Sequence, residues 1–202
     1  MAKGKKSIRK SAQGRSTPSR RRSPKDAIAL LKADHRQVET WFAQFESTRV
    51  DSRKEELAKK ICQALRVHTQ IEEEIFYPAF LEATGEKAIH HEAEVEHNGA
   101  KKLIAAIEAS GPGDEYFDAK VTVLSEMIKH HVNEEEKRDG MFAKARQSKL
   151  DLDATGKRLS SRKSQLMESE DNSDDGTGRS RGGTTSRKQE GAIARLAKRV
   201  MS

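Results

Sequence analysis

The chain has 202 residues, 35% of them charged and only 4% aromatic, with a formal net charge of +7. That length suits one domain of ordinary size with extensions, and no apolar run approaches the roughly 18 residues that a membrane helix needs. Cys62 is the single cysteine, which excludes an internal disulfide and a thiolate metal cluster; with no apolar segment behind the N-terminal charges, a cytoplasmic location is expected.

Charge is spread unevenly. Residues 1–25 hold ten Lys or Arg and no acid, residues 26–147 hold 17 basic and 24 acidic side chains, and residues 148–202 hold 12 and 8. Residues 1–23 have almost nothing to bury and are expected to form a disordered basic arm. Ser23-Pro24-Lys25-Asp26 then reads as a helix start, with Ser23 as N-cap and Pro24 at the first helical position. Ile28, Leu31, His35, Val38, Phe42 and Phe45 follow at helical spacing, to about Ser47. Asp51-Ser52 opens a second helix, with Glu55 completing a capping box after Ser52. Pro78 is expected to kink or end that helix, and Thr84-Gly85 marks the break.

A third helix buries Ile89 or His90, then Ala93, His97, Ala100, Ile104 and Ile107, and Gly111-Pro112-Gly113 ends it. Asp114 is expected to cap a fourth helix that continues to about Arg146. Four amphipathic helices over residues 24–147, with short links and no strand pattern, predict an all-α, up-down-up-down four-helix bundle. From residue 148 to 202 Ser, Asp, Gly, Lys and Arg dominate, and the tail is expected to be low in complexity and mostly disordered.

Each helix places one histidine on its own apolar stripe: His35, His68, His97 and His131. Two are followed four residues later by a glutamate on the same face, Glu72 and Glu135. In an up-and-down bundle these mid-helix positions meet at one level. A single histidine on such a stripe is more often a satisfied core residue than a ligand, and runs such as Glu72-Glu73-Glu74 usually face solvent. Six ionisable groups in one small core are a different matter, because each costs several kcal/mol unless compensated. A metal is the simplest compensation. Imidazole and carboxylate without thiolate suit iron, manganese or zinc, and six side chains are too many for one tetrahedral zinc. Two ions bridged by the glutamates fit the count better. The Glu-x-x-His order of ferritin-like di-iron bundles is reversed here.

The segments DHRQVE around His35, HTQIEEEIFYP around His68, EHNGAKKLI around His97 and HHVNEEE around His131 resemble the hemerythrin-like HHE cation-binding domain. The resemblance covers about residues 24–147. It implies a non-haem di-iron centre, two Fe ions with Zn or Mn as disfavoured substitutes, held by His35, His68, Glu72, His97, His131 and Glu135. Oxygen-carrying hemerythrins have one more histidine on the third helix, at the position of Ala93 here, so one iron is left with a more open shell. His90 lies two turns from His97, at about 10 Å, which is far for a substitute. His130 and Glu134 repeat the four-residue spacing, but the stripe through Leu124 and Ile128 selects His131 and Glu135. Tyr77 and Trp41 read as pocket walls or as plain core.

The expected function is binding or sensing of a small oxidant or gas: oxygen, nitric oxide or peroxide. The alternative is an iron- or redox-responsive protein that associates with nucleic acid through its basic tails, with Arg20, Arg21 and Arg22 among the polyanion contacts. No base-reading motif accompanies those charges, so such binding would be non-specific. A membrane partner is disfavoured because the arm lacks apolar anchors. No nucleophile motif or phosphate loop points to an enzyme acting on an organic substrate, which leaves peroxide turnover at the iron as the one enzymatic option.

Overall fold

The computed structural model describes residues 26–174, and their regular structure is helical throughout. The first helix, α1, spans Ala27–Ser47. Asp26 caps it, with an extended backbone (φ −130°, ψ 167°) and Oδ1 accepting the Ala29 N–H at 2.8 Å. The cap is therefore Asp26 rather than the expected Ser23, and Ser23 and Pro24 lie outside the described residues. Helix α2 covers Asp51–Ile71, with Val50 at its cap position and no capping side chain. Ser52 already lies within the first turn, so the expected capping box with Glu55 does not form; Glu55 instead accepts from Lys59 at 2.8 Å.

Pro78 does not end the helix. The chain widens into a π-helical turn over Glu72–Phe76 and continues as α3, Tyr77–Thr84. The Tyr77 N–H reaches back five residues to the Glu72 carbonyl. A wide turn here absorbs the proline, whose ring would otherwise strike the carbonyl four residues back. Gly85 closes α3 in the left-handed region at φ +71°.

Helices α4, Lys87–Glu108, and α5, Phe117–Glu136, follow. Asp114 caps the turn before α5 rather than the helix, its Oδ1 accepting the Tyr116 N–H at 2.7 Å. The expected continuous fourth helix breaks at Lys137, which is extended (φ −60°, ψ 163°), and resumes as α6, Met141–Gln147. Gly140 makes that reversal fit: a Cβ there would lie 2.3 Å from the Glu134 carbonyl oxygen and 2.8 Å from that of Glu135. The turn thus folds back on the end of α5.

Helix α1 packs on α2 and α5, and α4 packs on the same two. Between them lies an apolar core that includes Phe42, Leu57, Ile61, Ile104, Phe117 and Leu124. Each fully buried side chain of this size contributes about 1.5–3 kcal/mol relative to exposure. Phe76, Phe80 and Phe142 form a second apolar group under α3 and α6; the Phe76 ring centre lies 6.4 Å from Phe80 and 5.7 Å from Phe142.

The region from 148 onward, expected to be mostly disordered, contains a further helix, α7, over Leu152–Asp174. Asp151 caps it by accepting the Ala154 N–H at 2.8 Å. Thr155 and Leu159 are buried, and Gly156 lies against the start of α1, where a Cβ would come within 2.7 Å of the Ala27 nitrogen. Gly156→Ala is expected to destabilise the fold by about 1–2 kcal/mol, because overpacking costs about 1–3 kcal/mol and outweighs the gain of about 1 kcal/mol in helix propensity. Thermal unfolding of the variant checks this; a stabilised variant would mean that α7 does not rest on α1. From Gln165 the chain belongs to a second compact unit.

Candidate metal centre

Four histidines meet in the interior, each at most 5% exposed. His35 from α1 and His68 from α2 bring their Nε2 atoms within 3.1 Å of each other. His97 from α4 and His131 from α5 do the same at 3.2 Å. Two glutamates join the pairs. Glu72 Oε2 lies 3.2 Å from His68 Nε2 and 3.4 Å from His97 Nε2. Glu135 lies 3.5 Å from His35 Nε2 through Oε2 and 3.7 Å from His131 Nε2 through Oε1. Each glutamate therefore faces one histidine of each pair.

The opposite ring nitrogens explain the orientation. His35 Nδ1 contacts Glu136 at 2.8 Å, His97 Nδ1 contacts Glu73 at 3.0 Å, and His131 Nδ1 contacts Glu96 at 2.7 Å. His68 Nδ1 faces Asp34 Oδ2 at 3.5 Å, a longer contact than the other three. The four carboxylates close a ring: Asp34 of α1 holds a histidine of α2, Glu73 after α2 holds one of α4, Glu96 of α4 holds one of α5, and Glu136 of α5 returns to α1. Carboxylates on Nδ1 fix that nitrogen as the donor and leave the Nε2 lone pair facing inward. Inward Nε2 atoms at 3.1–3.2 Å, with carboxylate oxygens 3.2–3.7 Å from them, make a donor set that a cation would satisfy.

The acid–base balance points the same way. Burial pushes the Glu72 and Glu135 carboxyls up to about 8, and both Glu72 oxygens and Glu135 Oε2 lack a hydrogen bond. Burial likewise lowers His68 to about 3 and lowers His35, so both rings are neutral near pH 7, as ligands must be. At His131 burial is outweighed by the Glu135 charge and the Glu96 hydrogen bond, and its pKa rises. Glu136 is held down at about 2: burial opposes this, but His35 and Lys32 prevail. The donor set, its burial and its orphaned oxygens fit one or two divalent or trivalent cations.

Tyr77 completes the wall. It is buried, and its hydroxyl donates to Glu135 Oε1 at 3.2 Å and lies 3.1 Å from His97 Nε2. Phe142 stacks on the His35 ring with centres 5.8 Å apart. Beside Ala93 a cleft of about 150 Å³ runs down to His131 and Glu135, with Glu92, Glu134, Lys137 and Asp139 among its lining residues.

All six candidate ligands meet here, and the other candidates do not. His130 is 63% exposed and contacts Glu96 at 3.3 Å from outside. Glu134 pairs with Lys137. His90 lies against the Tyr77 ring, centres 5.9 Å apart, and contacts Glu94. Trp41 packs on the apolar core, and Arg20, Arg21 and Arg22 lie outside the described residues. The sequence assigns Asp34, Glu73, Glu96 and Glu136 no role in orienting the histidines, and Glu73 is expected there in a solvent-facing run. Each is next in sequence to a ligand but orients a histidine on a different helix.

An all-helical bundle that brings histidines and carboxylates together at one buried point fits a cation-binding protein. The hemerythrin HHE cation binding domain family matches residues 26–143, and the chain belongs to that family. Its fold is similar to that of a solved hemerythrin HHE cation binding domain-containing protein from Mycobacterium kansasii, 20% identical, with a TM-score of 0.63 over 76% of this chain and 94% of that one. A comparison with curated proteins gives no match. Among the described residues no helix is long and apolar enough to cross a membrane.

Proposed function

We propose that the protein holds a pair of irons in an up-down-up-down bundle and uses them to bind or sense a small oxidant or gas, such as oxygen, nitric oxide or peroxide. The observation that carries this reading is the double sharing of Glu72 and Glu135 between the two histidine pairs. Iron would supply one-electron redox chemistry and an open coordination position. His35, His68, His97 and His131 would hold it through Nε2, and the two glutamates would bridge. Tyr77 holds a proton on its hydroxyl against Glu135, with burial and the nearby Glu135 and Glu72 charges keeping that proton in place well above the ordinary tyrosine range. Phe142 stacks on the His35 ring and Phe76 packs on Phe142, an apolar backing for that side of the site. The cleft of about 150 Å³ at Ala93 supports a ligand of a few atoms.

Nitric oxide added anaerobically to the ferrous protein tests the reading. A new visible band is expected at a stoichiometry set by the iron pairs. Ala93→Phe is expected to suppress that band with the metal content unchanged, because an apolar ring fills the cleft without adding a ligand. A ferrous protein whose spectrum ignores nitric oxide, oxygen and peroxide alike would overturn the gas-binding reading.

A second expectation follows from the raised carboxyls. Glu72 and Glu135 hold protons in the metal-free protein below about pH 8, and coordination needs both ionised. Metal uptake at pH 7 should therefore release protons, and apparent affinity should rise with pH until about 8. Calorimetry in buffers of different ionisation enthalpy measures the release; uptake without it contradicts the assignment of these ligands. The ten positive charges in residues 1–25 support an added, non-specific association with nucleic acid, which a salt series on the full chain would detect.

A further inference from the structure

Three of the four carboxylates that orient the histidines are backed by a basic side chain from within α1, α4 or α5. Glu136 receives Arg36 at 2.6 Å and Lys32 at 3.0 Å, Glu73 receives Lys101 at 2.7 Å, and Glu96 meets His130 at 3.3 Å. The fourth is different. Asp34 is bonded by Lys163 of α7, a helix that lies wholly beyond residues 26–143, the part matched by the family.

We propose that Lys163 is a positioning residue for the metal centre: it fixes Asp34 and, through Asp34, the ring of His68. The His35–His68 half of the site thereby depends on a helix added after the four that carry the ligands. This rests on the two-ion reading given above.

The neighbouring contacts give α7 the rigidity that such a role needs. Leu159 is fully buried, Gly156 sits on the start of α1, and Arg162 donates to both Glu74 oxygens at 2.6 and 3.0 Å. Glu74 is in the π-helical turn, two residues after Glu72. The helix thus grips both the turn that aims one bridging glutamate and the carboxylate that faces His68. Asp34 is the weakest link in the ring, because its 3.5 Å contact to His68 Nδ1 is the longest of the four and that nitrogen has no other partner. With the lysine gone, a carboxylate 14% exposed has one partner fewer to hold it, and the imidazole is freer to turn.

Cobalt(II) titration of the metal-free full-length chain, followed by its visible ligand-field bands, tests the proposal. The unaltered chain is expected to take up two ions in resolvable steps. Lys163→Met should weaken one step by about tenfold, the low end of the effect of losing a ligand's direct partner, and leave the other unchanged. Lys163→Arg should restore the weakened step. Should Lys163→Met fail to fold, Asp34→Asn is expected to weaken the same step. A purely structural α7 would give a lower melting temperature with both steps unaltered or equally weakened, and either result overturns the proposal. Uptake of fewer than two ions by the unaltered chain would instead remove the two-ion reading itself, which separates the two failures.

Discussion

Stripping the metal is expected to lower the melting temperature of the protein by on the order of 20 °C. A ligand present at a thousand times its dissociation constant stabilises the folded state by about 4 kcal/mol per site. Two such sites give about 8 kcal/mol, and a domain of this size shifts by about 2–4 °C per kcal/mol. The physical source is on view in the centre: four inward imidazole lone pairs and two carboxylates with orphaned oxygens, in a core where unpaired polar groups are expensive. Calorimetric scans with and without chelator read the shift. Coincident transitions would mean that the six side chains are satisfied without a cation.

Glu72→Leu is expected to move stability and metal binding in opposite directions. The residue is fully buried, and neither carboxylate oxygen has a hydrogen bond. Replacing such a group by an apolar one of similar volume should stabilise the metal-free fold by about 1–3 kcal/mol. Loss of a ligand shared by both halves should abolish binding of the pair. The pH dependence has a definite sign. A carboxyl raised from its ordinary 4.5 to about 8 is destabilising wherever the unfolded chain has released its proton and the folded one has not. Metal-free stability therefore falls as pH rises from about 4.5 to about 8, and the substitution should flatten that slope. Denaturant melts of both metal-free proteins across this range check it; a variant less stable at every pH would show that Glu72 is a satisfied structural residue.

The six candidate ligands stand out in the sequence because they violate the apolar stripes on which they sit. His68 in a run with Ile61 and Ile75 demands an explanation that a surface histidine does not. The carboxylates that orient the rings were not legible. Glu73, Glu96 and Glu136 stand in acidic runs, which ordinarily face water, and each acts on a histidine of another helix, so no local spacing reports the pairing. Tyr77 was visible only as an aromatic. Pro78 signalled an interruption, yet the chain answered with a π-helical turn rather than an end, because neighbouring helices hold both flanks in place. The break at Lys137 depends on Gly140 fitting against the carbonyls of α5, a contact that no periodicity reveals. Helix α7 was missed because its anchors are few: Leu159, Thr155 and a glycine, set among Ser, Lys and Arg.

The account stands or falls most directly on metal stoichiometry. Iron per chain would be measured in the protein loaded anaerobically with ferrous iron, together with its visible spectrum before and after exposure to oxygen. Two irons per chain, with charge-transfer bands that appear on oxidation and bleach on reduction, are predicted. A protein that retains no iron under these conditions would contradict the di-iron centre, whatever its fold.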